Sequence, residues 1–417
     1  MTSMRFEGDL QDLSDKQSQY IRDSLNKRGY KNNKVVFAPV GQLGDNFAAN
    51  VKRITVEVEN GDNFQMVAKI APKTFAVIKY TEVMFNNETV MYGEVLPTFE
   101  KLQEAANVPE DDKLRYAQCY GCYTEKQHQV ILLQDLKPLD YTMLDKYQSL
   151  PNKAVRLILK NFAIYHSLSY ALKKSNPDVY DYYKNKLLDL WSTTTEVPEH
   201  DAVIKQLEDN LLAVFENAEN KYKDALQGAL KKISVIGKQL NAIDANSKYS
   251  VIQQGDAWTN NIMFKLEDNE IKDCIMIDYQ ISKVANPVCD ILYMIFNCTD
   301  YVTRSKHFYE WIDYYHDQLD KALSNYGMQA NLIYPRDQLD ADLKRYAEMF
   351  FGTALIVIGM IFRKSEEAAL IKDAYKDSDL IKVGKKTSIT LLSSDTLSFI
   401  KTRVQGLIDS CIEFGFI

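Results

Sequence analysis

Apolar and polar positions alternate along the first third of the chain, then give way to a longer period. KVVFAPV from Lys34, FAANVKRITVEVE from Phe47 and FQMVAKIAP from Phe64 read as strands, because a period of two puts alternate side chains on one face. Asn60-Gly61 separates the second and third runs and predicts a hairpin turn. LRYAQCYGCYTE from Leu114 and QVILLQDL from Gln129 add two more strands. Two helices interrupt this pattern. One spans Leu13 to Tyr30, with Ser14 as N-cap and Gly29 as stop. The other spans Ala76 to Leu96, with Phe85, Glu88, Thr89 and Tyr92 at helical spacing and Pro97 as its end. Beyond Pro138 the texture is that of long amphipathic helices, clearest over Lys153 to Lys173 and Asp201 to Leu240. A β island from Tyr249 to Ile281 breaks them. It holds SVIQQGD, NIMFKLE and IKDCIMIDYQ, the last two joined by a polar turn at Asp268 to Glu270. From Cys289 onward the chain reads as helical again. The expectation is an α+β, two-lobed architecture: residues 1–135 form a small antiparallel-sheet lobe with an inserted helix, and 136–417 a large, mainly helical lobe.

Composition narrows the picture. A chain of 417 residues exceeds one ordinary core, and 46% hydrophobic with 26% charged residues is a folding composition. A net charge of −7 disfavours bulk phosphate-backbone binding, so no nucleic-acid partner is expected. The N-terminus has no apolar core, so a secretory leader is not expected. The longest apolar run, Met349 to Phe362, holds 14 residues and is followed by Arg363 and Lys364. A membrane span needs roughly 20 apolar residues, so this run is expected to be a buried helix. Cys119 and Cys122 form a CxxC with no second pair and no histidine at finger spacing. They read as two ordinary thiols in a turn between strands, and six cysteines in all fit a reducing, cytosolic compartment.

The β island carries the candidate chemistry. Asp256 follows a short strand and a glycine, so its carboxylate emerges at a strand end. Asn261 precedes the next strand, and Asp278 ends the strand after it. A hairpin brings its two ends together, which places Asn261 beside Asp278 with Asp256 nearby. One amide oxygen and one carboxylate next to a phosphate are sufficient protein ligands for Mg²⁺. A further carboxylate is then free to orient a hydroxyl and take its proton, a division of labour used in phosphoryl transfer. A lone aspartate at a strand end is ordinarily a turn residue, and the GDAWTNN block upstream with a hairpin of suitable length argues for a metal site at Asp278.

GDAWTNNIMF and the later IDYQ resemble the signature of the ecdysteroid kinase-like (CHK kinase-like) family, in the aminoglycoside and choline phosphotransferase branch of the protein-kinase-like fold. GQLGDNFAANVKRITVEV resembles its nucleotide-loop strand pair, MVAKIAP its lysine strand, FNNETVMYGEVLP its glutamate helix, VILLQDL its hinge, FAIYHSLS its helix with His166 and NPVCDILYMI its segment with Asp290. The resemblance runs from about Val35 to the C-terminus. It implies that Asp256 is the catalytic base, that Asn261 and Asp278 hold Mg²⁺, and that Lys69 contacts the ATP phosphates and pairs with Glu88. It further implies that Gly44, Asp45, Asn46 and Phe47 cover the phosphates and that backbone near Gln134, Asp135 and Leu136 holds adenine. His166 and Asp290 are implied to be structural. The family's motif histidine is Gln254 here, which still donates and accepts hydrogen bonds. The implied activity is ATP-dependent phosphorylation of a hydroxyl on a small, apolar acceptor such as an ecdysteroid or xenobiotic metabolite. The alternative is a catalytically weak pseudokinase, for which Gln254 is the motive. No HRD, DFG or APE segment supports a protein kinase.

Overall fold

The computed structural model describes residues 4–41, 49–59, 61–72, 78–190, 192, 200–374, 380–386 and 388–417. The alternating N-terminal pattern forms a six-stranded sheet from β1 (Arg5–Gly8), β2 (Lys34–Pro39), β3 (Asn50–Glu57), β4 (Phe64–Ile70), β5 (Cys119–Tyr123) and β6 (Val130–Gln134). Its order is β1-β2-β3-β4-β6-β5. Every neighbouring pair is antiparallel except β1–β2, a parallel edge that the sequence pattern does not announce. Val35, Phe37, Ile54, Val56, Met66 and Ala68 form one buried face and pack with Ile21 and Leu25 of α1 (Asp15–Lys27). That helix opens on the expected Ser14, whose hydroxyl and the Gln17 side chain cap each other's backbone, and the chain leaves it through Gly29 at φ 97°.

The opposite face belongs to a different interior. Ile131 and Leu133 join a continuous core with Phe85, Phe99 and the helical lobe. Here the expectation for Pro97 is corrected. α2 (Ile78–Val90) passes through a π-helical turn, Met91–Val95, into α3 (Leu96–Ala105), so Pro97 opens a helix instead of ending one. A proline in the first helical turn costs no hydrogen bond. The placement of the CxxC is corrected too. Both cysteines lie on β5, where a bulge between Cys119 and Gly121 breaks the alternation and leaves the two sulfurs 3.6 Å apart. All six cysteines are free.

The helical lobe opens with β7 (Tyr141–Thr142), α4 (Asn152–Ser175) and α5 (Pro177–Lys186). The single helix expected over Asp201 to Leu240 is three: α6 (His200–Val214), α7 (Asn220–Leu226) and α8 (Ala229–Asp244). Gly228 breaks it, adopting φ 76° at the start of α8, and Glu208 accepts hydrogen bonds there from the Gly228 and Leu230 amides at 2.9 and 3.1 Å. The β island forms β8 (Val251–Ile252), β9 (Ile262–Glu267), β10 (Glu270–Met276) and β11 (Val284–Ala285). β9 and β10 make a hairpin whose turn is Asp268-Asn269 at φ 52° and 61°, and β7 pairs with β9. Helices α9 (Val288–Cys298), α10 (Tyr301–Ser324), α11 (Ala330–Ile333), α12 (Arg336–Ile361), α13 (Ser365–Ala374), α14 (Leu380–Lys386) and α15 (Ser394–Glu413) complete the lobe. The apolar run from Met349 lies in α12, and Arg363 Nε caps its end by donating to the Gly359 carbonyl at 2.8 Å. Among the described residues no helix is long and apolar enough to cross a membrane.

Candidate active site

The β9–β10 hairpin closes as its ends require. The Ile277 amide donates to the Asn261 carbonyl at 2.9 Å, so the segments carrying Asn261 and Asp278 are laced together. Asn261 Nδ2 reaches back to Asp256, donating to its carbonyl at 2.9 Å and to Oδ2 at 3.0 Å. Asp278 sits in the left-handed region at φ 61°, a conformation that aspartate tolerates better than most residues.

From the sheet, β4 delivers Lys69. Its ammonium lies 2.5 Å from Glu88 Oε2 on α2 and 2.7 Å from Asp278 Oδ1. Gln280 links this ion cluster to Asp256, with Oε1 at 3.5 Å from Lys69 Nζ and Nε2 at 3.5 Å from Asp256 Oδ2. Lys69, Glu88 and Asn261 are buried, while Asp256 and Asp278 are partly exposed. Burial alone would lower the pKa of Lys69, but the adjacent Asp278 and Glu88 carboxylates outweigh it and hold the amine protonated. Burial, and then the Asp278 charge, push Asp256 up to about 7, against hydrogen bonds from Tyr293 and Gln280 and the charge of Lys69.

Gln254 lies between the Asp256 loop and the Asp278 strand. Its Nε2 donates to the carbonyls of Ile277 and Asp278 at 2.8 and 3.0 Å, and its Oε1 accepts from the Asp256 amide at 2.6 Å. One side chain thereby spans the Asp256 loop and the Asp278 strand. Below it, Asp290 accepts from the Gln254 and Gly255 amides at 2.9 and 2.8 Å and contacts His166 Nε2 at 3.1 Å, while Tyr315 lies 2.8 Å from His166 Nδ1. His166 and Asp290 are fully buried, and both hold up the loop.

Gln134, Asp135 and Leu136 lie at the end of β6 and in the turn that follows it. Gln134 ends β6 and exchanges hydrogen bonds with the Gln118 backbone, through its own amide at 2.8 Å and its side-chain oxygen at 3.3 Å. The Asp135 carboxylate is buried against the Arg53 guanidinium and accepts from the Lys137 amide at 3.1 Å. The Leu136 carbonyl accepts from the amides of Leu139 and Tyr141 at 3.1 and 3.3 Å. These groups stabilise the turn itself. Gly44, Asp45, Asn46 and Phe47 lie outside the described residues.

Two residues escaped the sequence reading. Tyr293 donates from its hydroxyl to Asp256 Oδ1 at 2.6 Å, and Gln280 bridges the ion cluster as above. Tyr293 lies three residues after Asp290 on α9, one helical turn along, so the motif around Asp290 was a usable signal. Beside them opens a cavity of about 430 Å³. Gly255 and Tyr293 form its wall nearest Asp256, and residues of α6, α8 and α12, ten of them leucine, isoleucine or methionine, form most of the rest.

The donor set at the hairpin ends fits a hard divalent cation. Asn261 and Asp278 supply an amide and a carboxylate oxygen at adjoining hairpin ends, and Lys69 beside them suits an anionic group. Among the described residues no cluster of three or more His, Cys, Asp or Glu side chains could hold a metal ion.

No curated protein matches the chain. Similar solved structures include the GDP complex of a mutant aminoglycoside 2′-phosphotransferase-IIIa, 12% identical over 94% of this chain and 99% of that one with a TM-score of 0.45. Another is aminoglycoside phosphotransferase APH(3″)-Id from Streptomyces rimosus in complex with ADP and streptomycin, 12% identical over 73% and 91% with a TM-score of 0.30. The model of the ecdysteroid kinase-like family matches residues 43–328, a span that includes β3, the Lys69–Glu88 pair, Asp256 and the whole Asn261–Asp278 hairpin. With that span matched over more than half its length, the chain belongs to the ecdysteroid kinase-like family.

Proposed function

We propose that this protein transfers the γ-phosphoryl group of ATP to a hydroxyl of a small apolar acceptor seated in the cavity beside Asp256. Family membership makes it a phosphotransferase acting on alcohols; ATP, Mg²⁺ and the apolar acceptor are our reading. The observation that carries it is the placement of a half-buried carboxylate, Asp256, between an ion-paired lysine cluster and an apolar chamber.

In this reading Lys69, held by Glu88, binds the phosphates, and Asn261 with Asp278 hold Mg²⁺. The metal supplies neutralisation of charge on the phosphate oxygens. The chain's own residues do the rest. Tyr293 and Asn261 fix the two oxygens of Asp256. Asp256 orients the acceptor hydroxyl and takes its proton as the new O–P bond forms and the bond to ADP breaks. Burial, which pushes Asp256 up, makes it a better proton acceptor than a solvated carboxylate. The apolar walls exclude water, which would otherwise compete as acceptor.

The pseudokinase alternative was motivated by Gln254, yet Gln254 makes three hydrogen bonds that span the loop and the strand, so nothing in the geometry favours it. Free cysteines suit a cytosolic setting, where we place the protein. The test is ATP-dependent phosphorylation of a steroid and xenobiotic panel, read by mass spectrometry, in wild type, Asp256→Ala and Asp278→Ala. Loss of Asp256 is expected to reduce kcat, and loss of Asp278 chiefly to weaken nucleotide binding. Turnover that persists undiminished in both variants would falsify the assignment.

A further inference from the structure

The cavity wall contains one polar group that the catalytic reading leaves unexplained. Along α6, His200, Val203, Ile204, Leu207, Asn210 and Leu211 line the chamber, the spacing of a single helical face. That face is otherwise apolar through its middle, and Asn210 stands where the pattern calls for another leucine. Three other polar side chains nearby are engaged. Asn241 accepts from Lys283 Nζ at 2.7 Å and donates to Asp189 at 2.6 Å. Asp244 accepts from Tyr346, and Ser234 lies 3.3 Å from His200 Nε2. Asn210 Nδ2 is buried and has no hydrogen-bond partner among the described residues.

A buried amide N–H without a partner costs about 1–3 kcal/mol, so a site that keeps one has a use for it. An amide N–H in an apolar chamber recognises a neutral acceptor oxygen such as a ketone, ether or hydroxyl. Of the cations lining this wall, the Lys283 ammonium is paired to Asp189 at 3.1 Å, Arg363 Nε donates to the Gly359 carbonyl at 2.8 Å, and Lys238 is exposed, so the donor buried in the apolar part of the chamber is the Asn210 amide. We propose that Asn210 is a specificity-determining residue whose Nδ2 donates to a second oxygen on the acceptor, so that the preferred substrates are apolar molecules carrying a neutral acceptor oxygen besides the phosphorylated hydroxyl. This inference rests on the cavity being the acceptor site of the proposed kinase. Sites built to bond an oxygen reject analogues lacking it more strongly than apolar pockets reject a missing methylene.

The experiment compares two rigid steroids that differ only in one ketone oxygen, 17β-hydroxy-5α-androstan-3-one and 5α-androstan-17β-ol, by calorimetry on the full chain without nucleotide. Wild type should bind the ketone at least tenfold more tightly. Asn210→Leu should bind both with similar affinity, and Asn210→Asp, of the same size but without the donor, should also lose the preference; thermal melting of each variant identifies any that fail to fold. A preference retained in either folded variant, or no preference in wild type, or no binding of either steroid, overturns the inference. Phosphorylation is assayed separately with ATP. Asn210-dependent binding without phosphate transfer would sink the kinase reading alone, and transfer to both steroids with equal affinity would sink this one alone.

Discussion

At the scale of single residues, the Asp256 carboxylate is held from three sides, and each hold has a distinct consequence. Tyr293 is buried and its hydroxyl has one partner of consequence, Asp256 Oδ1. Tyr293→Phe removes a hydrogen bond to a charged group, typically ~1.5–3 kcal/mol. Part of that appears in catalysis, so kcat should fall roughly tenfold with KM for ATP unchanged, since Tyr293 does not contact the lysine cluster. Steady-state kinetics decides it, and a rise in KM for ATP without change in kcat would contradict the role. Gln254 is a second case. Gln254→Ala leaves two carbonyls and one amide without their partner and should cost about 2–3 kcal/mol of stability, with kcat reduced more than the roughly tenfold of Tyr293→Phe. Gln254→His keeps one donor and one acceptor and should recover most of the activity. Equal loss in both variants would show that the tie is not what the loop needs.

At the scale of elements, the loop preceding the hairpin depends on backbone that only glycine supplies cheaply. Gly255 has φ 89°, and a Cβ there would lie 2.7 Å from the Ile281 carbonyl oxygen. Neither strain nor clash is relieved by a side-chain shift, because the opposing atom is backbone. Gly255→Ala should therefore destabilise the protein by about 1–3 kcal/mol and misplace Asp256, the next residue. Chemical denaturation and kcat measured together test this, and a variant with wild-type stability and turnover would refute it. The same kind of local chemistry explains where helices stop. α1 starts at Ser14 and leaves through Gly29 as the caps require. The long amphipathic stretch over Asp201 to Leu240 misled because periodicity persists across Gly228, while Glu208 supplies the cap for a new helix start from twenty residues away. Pro97 misled for the converse reason, since a π turn places it at the one helical position that needs no N–H.

At the scale of the whole molecule, the interior carries charge whose cost depends on pH. Asp244 ends α8 against the Tyr346 hydroxyl and is largely buried; burial pushes it up to about 6 from its ordinary 3.8. A carboxyl raised on folding contributes stability that is full below 3.8 and lost as pH rises through about 6. Asp244→Asn is neutral throughout, so the variant's stability relative to wild type should increase between pH 4 and pH 7.5 by about 2 kcal/mol. Urea denaturation of both proteins at the two pH values measures the difference directly, with other titrating groups cancelling. A pH-independent difference would show that Asp244 is not ionised at a cost.

The sequence by itself determined the two textures of the chain, the hairpin with its Asn261 and Asp278 ends, and the lysine strand followed by the glutamate helix. Those features are local: a period of two or of 3.6, a turn dipeptide, a cap. It did not determine that Tyr293 grips Asp256, that Gln280 bridges Asp256 to Lys69, that the hinge Asp135 is occupied by Arg53, or that faces of α6, α8 and α12 stand apart to enclose a chamber. A face that lines a cavity and a face that fills a core share one apolar pattern. Only the packing of separate elements decides whether the space between them is closed, and which polar atoms, such as Asn210 Nδ2, are left facing it.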